Sequence, residues 1–366
     1  MDQSLPLVSV VIPSYNHRHF IGHAIDSVLQ QTYKNVECII IDDGSKDGSL
    51  DYLQQSYGQN PRIKIHSREN RGAHYTINEA LGYAKGHYLS ILNSDDIYFP
   101  SRLSMLVDEA ERKKGSFFGI TALEIIDDNG LIKDDAVKQY YSNCIINSSK
   151  FPMYSGLLSG NIAMTTSNFF FSRDVFERFH GFRSLRYTHD WDWALRIASQ
   201  VGIIRLETKL LKYRVHNSNT ISETNIWKHI CENSFVFSTF LNAINLKGDA
   251  DKSNPSTSEI MAALLHNDSF LPLPTLYLLS TGRSVDTLER QLNSGDLEDE
   301  LKRWFEQSNI SFETMLSSNH VNLKLASSQT DVKKYDDDRF GVNPFRRLRD
   351  LQNKLKTAAE SLRNKL

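Results

Sequence analysis

Cysteine is scarce in this chain and badly spaced for cross-linking. Cys38, Cys144 and Cys231 are the only three in 366 residues. They form no CxxC pair, and an odd number argues against a disulfide framework. Cys38 lies inside an apolar run and reads as packing. A reducing, cytoplasmic setting is therefore expected. An excess of one charge is also missing. The 42 Lys and Arg oppose 44 Asp and Glu, a net charge of −2, so no overall field draws the chain to nucleic acid. No run reaches the roughly 18 apolar residues that a membrane helix needs. The opening residues, Met1 to Asn16, carry neither the basic segment nor the long apolar stretch of a signal peptide. No internal repeat is visible. What remains is 40% hydrophobic and 23% charged, ordinary for a soluble globular protein. The length suits two or three domains.

The first hundred residues alternate two periodicities. Val8 to Ile12 is a β-branched run closed by Pro13, and Val36 to Ile41 is a second such strand. Ile63 to His66 is a short third, and Tyr88 to Leu92 a fourth. Between them, Asn16 to Gln31, Ser49 to Tyr57 and Ile77 to Ala84 read as helices. This order implies a mostly parallel sheet with helices on both faces. Such sheets bind ligands outside the carboxyl ends of their strands. The polar clusters Ser14-Tyr15-Asn16, Asp42-Asp43, Arg68 to Gly72 and Asn93 to Asp96 all fall at those ends.

Beyond Phe117 the pattern changes. Phe118 to Ile126 reads as a strand followed by a hairpin turn at Asp127 to Gly130. Residues 133–160 are polar and are expected to be loop-rich, a flap on the substrate side. Asn168 to Phe171 and Leu206 to Val215 read as strands, and Arg173 to Phe179 and Trp191 to Gln200 as helices. The expected division is 1–220 for one domain, in two halves over 1–100 and 101–220. Residues 221–340 form a mainly helical extension, interrupted by a loop at Gly248 to Ser258. Residues 341–366 form a basic amphipathic helix. Leu348, Leu351, Leu355, Ala358 and Leu362 repeat at three and four, and residues 346–366 hold seven Lys or Arg against two acids. That helix suits a coiled coil, an anionic membrane surface or packing on the domain.

The most informative residues are Asp95 and Asp96, at the end of the fourth strand. Adjacent carboxylates raise each other's pKa unless a cation sits between them. A divalent ion shared with phosphate oxygens removes that cost. The pair suggests a metal–nucleotide site at the sheet edge. Its competitor is a solvated acidic turn.

The strings around these residues resemble those of glycosyltransferase family 2. Pro6 to Asn16, Ser27 to Tyr33 and Ile40 to Ser45 are similar to the family's opening, and the likeness continues through Glu69 to Gly72, Gly86 to Tyr88 and Asn93 to Asp96. It resumes at His189-Asp190-Trp191-Asp192 and Tyr213 to Asn217, so it covers residues 6–220. The resemblance implies a GT-A fold, a Rossmann-like mostly parallel α/β sheet flanked by helices, and inverting transfer from a nucleotide sugar. By the same resemblance, Asp43 accepts the N–H of a uracil framed by Pro13 and Tyr15, and Arg71 approaches the diphosphate. Asp95, with Asp96 second and His216 completing the shell, matches the family's metal-binding D-x-D region. Mg²⁺ or Mn²⁺ is the implied cofactor, and an imidazole ligand favours Mn²⁺. The first acidic position of that motif is Asn93 here, which can still bond a ribose hydroxyl. An Arg that often precedes Asn78 in the family is Ile77.

Inversion requires a base facing the acceptor hydroxyl. Asp190, in a string similar to the family's E-D-W-D motif, is the matching residue. Its alternative is an N-cap. The motif's Glu is His189. Trp191 and Trp193 suit sugar faces, and Asp192 suits either an acceptor hydroxyl or loop orientation through Arg196 at helical spacing.

The expected activity is hexosyl or N-acetylhexosaminyl transfer from a UDP-sugar to a carbohydrate or lipid-linked acceptor. Cell-surface polysaccharide synthesis, with peripheral contact at the inner membrane face, is the expected setting. The competing class is a non-catalytic GT-A scaffold, which the Asn93 and His189 departures permit. A nucleotidyltransferase would need a Gly-rich, basic loop after the first strand, and Pro13 to Asn16 offers neither feature.

Overall fold

A computed structural model describes residues 5–308, apart from residues 199, 217–218, 220–224, 244–259, 261, 265 and 268–270. The apolar runs form the strands Val8–Ser14 (β1), Val36–Asp42 (β2), Ile63–Ser67 (β3) and Tyr88–Ile91 (β4). Between them lie Ile21–Leu29 (α1), Ser49–Tyr57 (α2) and Ala73–Tyr83 (α3). The four strands pair in parallel, in the order β3-β2-β1-β4. The chain moves outward from β1 to β3 and then returns to β1's other side. That reversal opens a crevice at the carboxyl ends of β1 and β4.

The second half completes the sheet. It contributes Ile97–Tyr98 (β5), Arg102–Lys113 (α4), Phe117–Ile126 (β6), Ala136–Ser148 (α5) and Met153–Leu158 (α6). Phe170–Ser172 (β7), Arg173–Phe179 (α7), His189–Ala198 (α8) and Gly202–Arg214 (β8) follow. The eight strands run β3-β2-β1-β4-β7-β6-β8-β5, with β7 antiparallel to both of its neighbours and β6 parallel to β8. Antiparallel β5 closes the edge on β8.

Alternation along β1 divides the core between two faces. Val11 joins Ile77 and Leu81 of α3, Trp193 of α8 and Phe235 further along the chain. Val8, Val10 and Ile12 join Ile25 of α1 and Leu103 of α4. The helices Ile226–Ala243 (α9), Pro272–Ser280 (α10), Val285–Ser294 (α11) and Asp296–Ser308 (α12) follow. Their Cys231, Phe235, Leu288 and Leu297 belong to the first of these clusters.

One expected region is corrected. Residues 133–160 hold α5 and α6 rather than mainly loop. Asp135 caps α5 by accepting from the Val137 and Lys138 amides, at 3.0 and 3.3 Å. Only Tyr141, Cys144 and Ser148 of α5 are buried, so its apolar signature is faint. The expected loop at Gly248 to Ser258 and the C-terminal basic helix lie outside the described residues. Among the described residues, no helix is long and apolar enough to cross a membrane.

Candidate active site

The loops after β1, β2, β3 and β4 are joined to one another at the carboxyl edge. The Ser14 carbonyl accepts from the Asp43 amide at 2.7 Å. Asn16 donates its amide to Ser45 Oγ (2.9 Å) and accepts from the Lys46 amide (2.8 Å). His17 Nδ1 meets Ser94 Oγ at 2.7 Å. Pro13 is half-buried beside these bonds, whereas Tyr15 is 45% exposed.

Asp43 is buried and holds the third loop in place. It accepts from the Arg71 amide (2.8 Å) and the Gly72 amide (2.9 Å), and it pairs with the Arg68 guanidinium. Gly72, at φ +87°, turns the chain so that these successive amides reach one carboxylate. A carboxylate offers about four acceptor directions. Oδ1 uses two and Oδ2 one, which leaves one direction on Oδ2. The Arg71 guanidinium lies on the Tyr75 ring, 3.3 Å from its centroid.

The adjacent acids at the end of β4 diverge. Asp96 is fully buried, with Oδ2 bonded to Ser167 Oγ (2.5 Å) and Oδ1 to the Arg214 amide (2.8 Å). Burial and the neighbouring Asp95 charge hold its carboxyl well above the usual range. Asp95 turns the other way. Its Oδ2 lies 3.0 Å from His216 Nε2. Burial pushes the Asp95 pKa up, but the His216 hydrogen bond and the two nearby imidazoles bring it below the ordinary value. His17, Asp95 and His216 each offer a ligand atom within 4.8 Å of the others. Burial lowers the His17 pKa, which leaves the imidazole neutral and able to coordinate. Phe20 stacks on the His216 ring at 5.1 Å, and His17 meets that ring edge-on at 5.5 Å. Asp96 is outside this group, and His17 is the residue that sequence reasoning missed. Its signal was its place in the loop after β1.

Asn93 spends its amide on the turn before β7. Nδ2 donates to Thr165 Oγ1, and Oδ1 accepts from Thr166 Oγ1, both at 3.0 Å. That turn also reaches Asp190. Asn161 Nδ2 donates to Asp190 Oδ2 at 3.0 Å, and Asn161 Oδ1 accepts from the Met164 amide at 3.1 Å. One short segment, 161–167, therefore bonds Asp190 at one end and both Asn93 and Asp96 at the other. Burial raises the Tyr213 pKa, and the charges of Asp96, Asp95 and Asp190 add to the rise. Parts of the chain distant in sequence are thereby joined around Asn93, Asp96 and Asp190.

Asp190 lies in the first turn of α8, 8% exposed. Burial pushes its pKa up to about 6, partly offset by the Asn161 bond and by the Trp191 amide at 2.7 Å. Its neighbours in the motif face elsewhere. Asp192 bonds Arg183 at 2.8 Å and Arg196 at 2.9 Å, the expected helical pair, so its carboxylate orients the loop before α8. Trp191 and Trp193 are buried, at 3% and 0% exposure, and offer no face to a sugar. Trp191 donates to the Leu157 carbonyl (2.9 Å) and meets Phe237 edge-on, while Trp193 stacks on Phe182. The expectation that these rings receive a sugar is corrected: their apolar area is used in the core. Burial lowers the His189 pKa, against the pull of Glu232, and His189 Nδ1 has no hydrogen-bond partner among the described residues.

Residues 9–179 match the family described as Glycosyl transferase family 2. An uncharacterized glycosyltransferase of Rickettsia typhi is 32% identical over 222 residues, covering 59% of this chain and 66% of that protein. One from Rickettsia felis is 31% identical over 247 residues, covering 65% of this chain and 39% of that protein. Chondroitin synthase of Escherichia coli is 32% identical over 248 residues, or 66% of this chain and 34% of the synthase. The chain thus spans between a third and two thirds of these relatives' lengths. Among solved structures, S. aureus TarS 1–349 in complex with UDP-GlcNAc superposes with a TM-score of 0.52 at 15% identity, over 79% of this chain and 92% of that one. The mannosyltransferase PcManGT of Pyrobaculum calidifontis, in complex with GDP-Man and Mn²⁺, gives 0.51 at 17% identity, over 82% and 88%. At these identities the likeness shows the fold alone, and that fold is GT-A.

Proposed function

Because this chain belongs to glycosyltransferase family 2 through residues 9–179, we propose that it moves a sugar from a UDP-sugar to a carbohydrate or lipid-linked acceptor, with inversion. The observation that supports the reading is that one segment, 161–167, bonds Asp190 on one side and Asn93 and Asp96 on the other. Asp190 is the base. A carboxylate with a pKa of about 6 is ionised at neutral pH yet basic enough to receive a proton. The acceptor oxygen bonds to the anomeric carbon as the bond from that carbon to the diphosphate oxygen breaks, and the hydroxyl proton passes to Asp190. Asp43 offers its remaining Oδ2 direction to the base N–H, and the exposed Tyr15 ring covers the base. Arg71, on the same edge, faces the diphosphate.

His17, Asp95 and His216 are the residues that would hold a divalent cation. Two imidazoles and one carboxylate suit Mn²⁺ better than Mg²⁺. When bound, the ion neutralises charge on the leaving diphosphate. The fold neighbours agree in class, one solved with UDP-GlcNAc and the other with GDP-Man and Mn²⁺.

The test is calorimetry of UDP with and without Mn²⁺, together with nucleoside diphosphate release from UDP-Glc, UDP-Gal, UDP-GlcNAc, UDP-GlcA and GDP-Man. Tighter UDP binding with Mn²⁺ and release from one UDP-sugar are expected. Asp190→Asn should abolish release and leave UDP affinity within twofold. Near-normal release by that variant overturns the base assignment. No UDP binding with Mn²⁺ overturns the enzyme reading in favour of a scaffold.

A further inference from the structure

We propose that Glu232, on α9, is a positioning residue for Asp190, an inference that rests on Asp190 being the base. Glu232 is 6% exposed, and its carboxylate faces the stretch of chain that enters α8. It accepts from the amides of three successive residues, Arg186 (2.7 Å), Tyr187 (2.8 Å) and Thr188 (3.1 Å), and from Thr188 Oγ1 at 3.2 Å. Successive amides converging on one anion form a nest. Hydrogen bonds to a charged acceptor are among the stronger kind. The Thr188 carbonyl then accepts from the Asp192 amide at 2.9 Å, so the nest passes directly into the helix turn that carries Asp190.

The rest of the loop is held by the same extension. The Tyr187 ring packs on His229 of α9, 3.9 Å between centroids. Arg183 reaches Thr239 of α9 at 3.4 Å, and the Ser184 amide reaches Glu289 of α11 at 3.3 Å. The carboxylate of Asp190 is oriented by Asn161, but the backbone beneath it is set by Glu232. Asp43 is held instead by the Arg71 and Gly72 amides of the loop after β3, and Asp95 by His216. Loss of the nest should therefore move the base and spare the nucleotide. A displacement of about 1 Å at a reacting group costs about 100-fold in rate.

The experiment uses the full chain and the UDP-sugar, among those four, that turns over fastest with water as acceptor. Glu232→Ala should lower kcat about 100-fold and leave the Kd for UDP with Mn²⁺ within twofold. Glu232→Gln, which keeps the size and one acceptor oxygen, should recover much of that rate. A folded Glu232→Ala with kcat within twofold of the parent overturns the proposal. So does a loss of UDP affinity equal to the loss of rate, which marks a merely structural role. If Glu232→Ala does not fold, Glu232→Gln decides. A several-fold fall in kcat at unchanged UDP affinity supports positioning, and an unchanged kcat overturns it. Asp190→Asn is measured alongside. Turnover by that variant sinks the base assignment itself, whereas an inactive Asp190→Asn beside a normal Glu232→Ala sinks only the role of Glu232.

Discussion

Asp190 holds a charge that the fold resists. Its pKa is raised from 3.8 to about 6 because burial disfavours the anion. The folded chain therefore binds this proton more tightly than the unfolded chain. The penalty is absent below pH 3.8, grows up to about pH 6 and is complete above it. It amounts to on the order of 3 kcal/mol at neutral pH. Asp190→Asn should accordingly be inactive and yet more stable than the parent at pH 7.5, by about 1–3 kcal/mol. At pH 4 the two should unfold alike. Urea melts at both pH values, without metal or nucleotide, check this, and equal stability at pH 7.5 would refute it. A second substitution separates the proposed ligands. His17→Ala should weaken Mn²⁺-dependent UDP binding by about tenfold or more and leave metal-free UDP binding unchanged. Asp95 could be proposed from the sequence because two adjacent acids end a strand, and Asp190 and His216 because their strings resemble those of the family. His17, Asn161 and Glu232 sit in unremarkable strings, and only the folded neighbours of each suggest the roles proposed for them.

At the scale of elements, regular pieces were legible where one face is apolar. α2 and α7 begin and end as expected, and β1, β2 and β4 differ by a residue or two. α3 begins four residues earlier than its apolar pattern, at Ala73, because Asp43 anchors the Gly72 amide and sets where the helix starts. α5 was hidden by its polar surface. The passage from α7 to α8 depends on backbone geometry that hydrophobicity does not encode. Gly181 sits at φ +68°, and a Cβ there would run into the side-chain oxygen of Asn78. That side chain clamps the next residue, donating to the Phe182 carbonyl and accepting from its amide, both at 2.8 Å. Gly181→Ala should cost about 1–3 kcal/mol in urea unfolding. It should also slow turnover, since the displaced loop leads to Asp190. A loss below about 0.5 kcal/mol would show that the clamp yields without strain.

Across the whole molecule, the helical extension and the sheet share apolar contacts rather than abutting. Val11, Ile39 and Phe118 of the sheet fall in one cluster with Phe235 of α9, Leu288 of α11 and Leu297 and Leu301 of α12. A core shared in this way favours unfolding in a single step. The three cysteines report on it from three places. Cys38 lies in β2, Cys144 in α5 and Cys231 in α9, and all are buried. Burial pushes the Cys38 and Cys231 thiols up to about 12, so neither forms appreciable thiolate at neutral pH while folded. Reaction with a thiol reagent at pH 8 should therefore be slow for both in buffer and should accelerate together across one denaturant transition. Mass spectrometry of the labelled peptides reads each site separately. If Cys231 labels at denaturant concentrations that leave Cys38 protected, the extension opens on its own. The loop held by Glu232 would then be released without loss of the nucleotide-binding edge. Coincident labelling means that the base can be dislodged only by unfolding the sheet that carries the rest of the site.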